Sequence, residues 1–236
     1  MKNILCLAFL SLVTVFGIMG CTVNLNLKPV LSSSLSMDAF EKMGKIDLHD
    51  VKMALYIDPK FKELKVDQNI PVTYTTGHFS LIIGKAFSVK LIKALSYYFR
   101  TIYFIESPDC AGTDNIDAIM YINMEDIDVN LGFEPGITQL STETHTRFSI
   151  RAEIKDVDEK KTVCVVTSQE EETINNQGQG PMYFQEAERQ FAIALDNAID
   201  KAIGNLINQM NKSQDLSSYI DKWEQGRGKA HILNHK

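Results

Sequence analysis

The sequence predicts an α+β domain, a mixed four- to five-stranded sheet packed by two amphipathic helices in the order β-α-β-β-β-β-α. Two periodicities carry that expectation. Apolar residues alternate in Val51, Met53, Leu55 and Ile57, and again in Phe148, Ile150, Ala152 and Ile154, so each segment turns one face to a core. Elsewhere they recur every three or four residues, through Ile83, Phe87, Leu91, Leu95 and Tyr98 and from Phe184 to Met210, as helices lying on a sheet require. At 236 residues, 44% hydrophobic and 23% charged, the chain can build one domain with a sizeable core.

Ahead of that domain stand Lys2 and an apolar run from Ile4 to Phe16, too short to span a bilayer but suited to the core of an export signal. The run closes on Ile18-Met19-Gly20-Cys21. This resembles the lipobox of bacterial lipoproteins, with an aliphatic residue three before the cysteine and a small one immediately before it. The resemblance implies cleavage between Gly20 and Cys21, diacylglycerol on the Cys21 thiol, and a further acyl chain such as palmitate on the freed amine. The alternative is an ordinary secretory signal with Cys21 a plain mature residue. One acyl chain holds a protein to a membrane only marginally, whereas two or three hold it stably. Thr22, where inner-membrane retention goes with Asp, implies the periplasmic face of the outer membrane on the same resemblance. Residues 1–20 are thus expected to be a signal peptide and residues 21–50 a lipidated flexible tether, with a short helix over Met37–Met43. A tether of about 30 residues reaches about 30 Å.

The domain is expected over residues 51–211, its first strand stopped by Asp58-Pro59 and followed by a loop to about His78. The helix after it runs for roughly 18 residues with Lys85, Lys90 and Lys93 on its wet side. Thr101–Glu106 is apolar on both faces and is expected to be a central strand. From Asp117 to Leu131 the alternation changes phase: Ala118, Met120, Ile122 and Met124 share one face, Ile127, Val129 and Leu131 the other. A β-bulge near Glu125-Asp126 would produce that slip. Residues 148–155 and 162–168 then form a hairpin joined by the polar run 156–161. Beyond Gly178-Gln179-Gly180-Pro181 the last helix spans about 27 positions, roughly 40 Å, with an alanine-rich stripe. Residues 212–236 read as a polar, poorly ordered C-terminal tail carrying the single tryptophan, Trp223, which has no core to join and is a candidate partner contact.

Taken in order, the lipobox, the Val51–Ile57 strand, the helix ending in Leu95-Ser96-Tyr97-Tyr98-Phe99, the strand opening at Asp117-Ala118-Ile119, the hairpin and the long last helix resemble small α/β outer-membrane lipoproteins such as the LptE-like and YajG-like groups. That resemblance implies a non-enzymatic protein that binds a membrane-protein partner, a lipid or a polymer.

The residues themselves offer little chemistry. The sequence holds no Gly-x-Ser-x-Gly, His-Glu-x-x-His, phosphate-binding glycine loop or Cys-x-x-Cys, so no catalytic residue, metal ligand or cofactor is expected. Cys6 leaves with the signal and Cys21 takes lipid, leaving Cys110 and Cys164 either as a disulfide in an oxidising compartment or as two separate thiols. His231 with His235, His145 with Asp126 or Asp128, and the acids Glu125, Asp126, Asp128 and Glu134 are of the residue types that bind metals or act in catalysis, but a solvated surface accounts for each better. Glu170-Glu171-Glu172 reads as a charged strand end that blunts edge pairing. A formal charge of -6 without a basic cluster argues against nucleic acid as a partner. The expected function is therefore that of a non-enzymatic envelope lipoprotein, anchored to the membrane by acylated Cys21, serving as a structural or assembly partner of another membrane or periplasmic protein. The alternative is a periplasmic binding module for a lipid or cell-wall ligand, marked by an apolar cavity.

Overall fold

The computed structural model describes residues 24–27, 30–72, 75–109, 116–135, 140–178 and 182–233. Along the chain lie β1 (Asn24–Leu27), α1 (Met37–Met43), β2 (His49–Ile57), α2 (Pro59–Lys62), β3 (Lys65–Val72), β4 (Thr75–Ile82), α3 (Gly84–Leu95), β5 (Phe99–Phe104), β6 (Ala118–Pro135), β7 (Leu140–Asp156), β8 (Thr162–Gly178), α4 (Met182–Lys212) and α5 (Gln214–Leu233). A five-stranded sheet runs β5-β2-β6-β7-β8, and a separate three-stranded sheet runs β1-β4-β3. β2 is parallel to both β5 and β6, while β6, β7 and β8 are antiparallel, so the main sheet is mixed as its patterning predicts. Parallel neighbours need a crossover, and α3 lies on the connection from β2 to β5.

One face of the main sheet supplies the core. Met53, Leu55 and Ile57 of β2, Met120 and Ile122 of β6, and Phe148, Ile150, Ala152 and Ile154 of β7 are fully buried in one cluster with Phe87 and Leu91 of α3 and the Phe191–Met210 stripe of α4. Each large apolar side chain so buried contributes about 1.5–3 kcal/mol. The change of phase in β6 is a bulge: Met124 pairs with Ile150 and Asp126 with Ser149, leaving Glu125 extra.

Several expectations change. β5 is an edge strand, not a central one. Its two-faced apolar pattern has another cause: Ile105 and Ile116, at either end of the β5–β6 connection, join Ala54 and Ile119 in a second small cluster apart from the main core. The expected loop before His78 is largely the β3–β4 hairpin, antiparallel from Lys65↔Ile82 to Val72↔Thr75. The expected tail is α5, with Leu216, Ile220 and Trp223 spaced four and three apart and all buried. Trp223 is 7% exposed and its indole Nε1 donates to Asp156 Oδ2 at 2.7 Å, so it is a core residue and not a partner contact. A polar sequence hid a narrow apolar stripe.

The described residues of the segment expected to be a flexible tether, 24–27 and 30–50, pack into the fold. β1 pairs in parallel with β4 from Asn24↔Thr76 to Leu27↔Phe79. Ser36 caps α1 by accepting from Ala39 N, and its own N–H donates to Asp200 Oδ2 at 2.9 Å. α1 lies close on α4 because Gly204 leaves room: a Cβ there would stand 2.7 Å from the Ala39 carbonyl oxygen.

Gly84, the first residue of α3, is tighter still, since a Cβ would meet the carbonyl oxygens of Phe61 and Lys62 at 2.0 and 2.3 Å. Helix propensity alone would make Gly84→Ala stabilising by about 0.5–1 kcal/mol. The clash should reverse the sign, to a loss of about 1–3 kcal/mol read in urea unfolding. A stabilised Gly84→Ala protein would show that α2 and α3 do not approach this closely.

Candidate functional site

A groove opens where β4 turns into α3. Ile83 and Phe87 point into the core, which turns Lys85, Ala86 and Val89 outward along the opposite side of the helix. Val30, Leu31 and Ser33 form a second wall, and Lys65, His78, Ser80 and Ile82 of the hairpin a third. They enclose a groove of about 740 Å³, inside the roughly 300–1,000 Å³ typical of small-molecule sites. Val30 and Ile82 remain 85% and 60% exposed at its mouth, although both are aliphatic. None of the lining residues is acidic among the described residues. Lys65 lies 3.1 Å from Asp67 and holds that carboxyl below its ordinary range, while His78 Nδ1 shares a 2.8 Å hydrogen bond with Asn69 Oδ1.

The wall at residues 30–36 is held by buried charge. Lys90, expected on the wet side of its helix, is completely buried, with its ammonium 2.7 Å from both Asp196 Oδ1 and Asp200 Oδ1 on α4. Asp200 passes the grip on to Ser36 N, and Lys93 Nζ donates to the Ser33 carbonyl at 2.8 Å. Burial pushes the Asp196 carboxyl above its ordinary range, against the pull of Lys90. Polar residues three and four apart on the helices thus strap the N-terminal segment across the body.

Gly20, Cys21 and Cys110 lie outside the described residues. Cys164 is a buried thiol on β8 that donates to Ser213 Oγ at 3.5 Å, and burial pushes its pKa up. His145 Nδ1 is 3.1 Å from Thr173 Oγ1, whereas Asp126 and Asp128 face Arg147 at 2.8 and 3.8 Å. No three His, Cys, Asp or Glu side chains gather as a metal site among the described residues; His235 and the side chains of Glu134 and His231 lie outside that description. Glu170 and Glu172 do more than blunt an edge: Glu170 takes Lys42 at 2.9 Å and also Asn205, and Glu172 takes Lys201 at 2.5 Å, fastening α1 and α4 to β8.

The aromatic residues around the helix-to-strand corner divide between core and surface. Tyr98 and Phe99 are buried, whereas Tyr97 is 51% exposed and meets Phe40 edge-on at 5.4 Å, next to exposed Met37 on α1. The groove itself escaped the sequence reading. Its one-dimensional signal is Lys85 beside Ala86 and Val89, on the side of α3 opposite Phe87 and Leu91.

Among the described residues no helix is long and apolar enough to cross a membrane. No family model matches the chain, and no curated protein matches its sequence. It is similar to a solved protein from Xanthomonas campestris at 10% identity, over 80% of this chain and 98% of that one, with a TM-score of 0.43. A hypothetical protein from Chlamydia trachomatis is similar at 9% identity, over 70% and 97%, with a TM-score of 0.38. A minor lipoprotein from Acinetobacter baumannii is similar at 12% identity, over 67% and 93%, with a TM-score of 0.31.

Proposed function

We propose that this chain is a non-enzymatic envelope lipoprotein, anchored through acylated Cys21 at the periplasmic face of the outer membrane and acting by binding. The observation that carries the reading is the groove of about 740 Å³, two of whose lining residues, Val30 and Leu31, follow within ten residues of Cys21. It favours the binding-module form, because an apolar, preformed concavity of this size is what ligand sites share. A role as assembly partner of another envelope protein is the second reading, favoured by the exposed apolar patch of Met37, Phe40 and Tyr97.

Two measurements separate the parts of this proposal. Cells fed radiolabelled palmitate should label the wild-type chain and not Cys21→Ser, and the mature N-terminal peptide should carry the lipid mass. A mature chain beginning at Cys21 without added mass overturns the anchor. Photo-crosslinkers placed at Val30 or at Tyr97 in intact cells then divide the two forms: adducts to small amphiphiles from Val30 support the binding module, and one dominant protein adduct from Tyr97 supports assembly.

A further inference from the structure

We propose that the groove is a binding site for a single-chain anionic amphiphile, its hydrocarbon laid on Leu31, Ile82, Ala86 and Val89 and its head group met by Lys85 and Lys65. The inference rests on the binding-module reading above and not on the lipid anchor. Three observations meet here. The floor is aliphatic, and two of its lining residues, Val30 and Ile82, stay 85% and 60% exposed in the same groove, an apolar surface shared between neighbours and not a lone exposed side chain. The lining cations, Lys65 and Lys85, are exposed and carry long aliphatic stems that can lie along a hydrocarbon while their ammonium groups stay wet. The charge balance is local and opposite to that of the whole chain: among the described residues two lysines, a histidine and no acid line the groove of a protein carrying -6.

Lys85 is the sharper of the two cations. Lys65 is partly neutralised by Asp67 at 3.1 Å, and that carboxylate also stands 3.8 Å from His78 Nε2. No ion pair among the described residues engages Lys85. A carboxylate or phosphate head would supply a counter-charge to Lys85, and an aliphatic chain of matching width would cover Ile82. β1 pairs in parallel along β4 with Asn24 opposite Thr76 and Leu27 opposite Phe79, so its N-terminal end points away from the Ile82–Val89 end of the groove.

The mature chain from Thr22, which retains every described element, is titrated with cis-parinaric acid, a fluorescent fatty acid, below its micellar concentration. Oleate, lysophosphatidylglycerol and neutral monoolein serve as competitors. Saturable binding at one site per chain is expected, displaced by oleate if the head is a free carboxylate or by lysophosphatidylglycerol if it is a phosphate diester. Monoolein should compete about tenfold worse, Lys85→Glu should weaken binding about tenfold, and Ala86→Trp should abolish it by filling the floor. Lys85 is exposed, so Lys85→Glu keeps the test valid even where Ala86→Trp unfolds. Unsaturable uptake, equal competition by monoolein, or affinity unchanged in Lys85→Glu each overturns the proposal. Loss of lipid mass on Cys21 would overturn the anchor and leave this site standing.

Discussion

Replacing Lys90 by methionine will destabilise the protein by about 3–5 kcal/mol, the range seen when one partner of a buried ion pair is removed and the other charge is left behind. The variant keeps most of the side-chain volume, so the loss is electrostatic. Asp196 and Asp200 would face each other across the space that the ammonium filled, with Asp200 nearly inaccessible to water. Urea unfolding measures the loss, and Lys90→Met combined with Asp196→Asn and Asp200→Asn should recover much of it, since buried neutral groups need no counter-ion. The effect should also depend on pH in a definite direction. A carboxyl whose folded pKa is raised binds its proton more tightly folded than unfolded, so its contribution to stability is present below the unfolded value and lost as pH rises through the folded one. Asp196 is already raised by burial, and removing Lys90 raises it further. The gap between wild type and Lys90→Met should therefore narrow as pH falls toward about 4, the ordinary carboxylate pKa. A gap constant across that range would place these carboxylates in contact with water. Limited proteolysis gives a second reading, because residues 30–36 are held through Asp200 and Lys93 and should become the first site cut.

Trp223→Ala is expected to remove about 3–5 kcal/mol, as for other buried aromatic truncations. Two losses combine. The indole packs in the main core beside Tyr219, with ring centroids 5.8 Å apart, and its N–H is the donor to Asp156 Oδ2. Trp223→Phe keeps most of the packing and isolates the second loss, about 1–3 kcal/mol for a buried carboxylate oxygen left without that donor. Since Trp223 is the only tryptophan, its fluorescence reports on the same contact: blue-shifted emission when folded, moving red in a single transition with urea. An indole already emitting as in water, or a Trp223→Ala protein within 1 kcal/mol of wild type, would mean that α5 is not seated on the sheet.

The parts of the fold legible in the sequence were those with strong local period. β7 alternates without a break, α4 keeps its stripe through Ala187, Phe191, Ala194 and Ala198, and the β6 bulge announces itself because a strand cannot change phase without an extra residue. What escaped depended on distant partners. Lys90 looks like any helix-surface lysine until α4 brings two carboxylates to it, a contact 110 residues away. α5 carries its stripe on three residues, and the β3–β4 hairpin has a Pro within β3 and none of the Asn-Gly or Asp-Gly signals of a tight turn. The groove draws on residues 30–33, 65, 78–82 and 85–89, four stretches with no common pattern. The helical pattern puts Lys85, Lys90 and Lys93 alike on the wet side, whereas Lys85 lines the groove, Lys90 is buried and Lys93 reaches the Ser33 carbonyl.

The pairing of β1 with β4 has a mechanical meaning. Cys21 precedes Asn24 by three residues, so while the strand is docked a lipid on Cys21 would stand no more than about 10 Å from the sheet edge. Peeling β1 back to Val30 pays out nine residues, an extended length of about 30 Å. A four-residue parallel edge strand is a weak fastening, and parallel pairing is the less stable kind. With the proposed anchor on Cys21, the domain would thus have a leash of two lengths: a docked β1 would hold it close to the bilayer, and a released β1 would add about 20 Å of reach with the same fold.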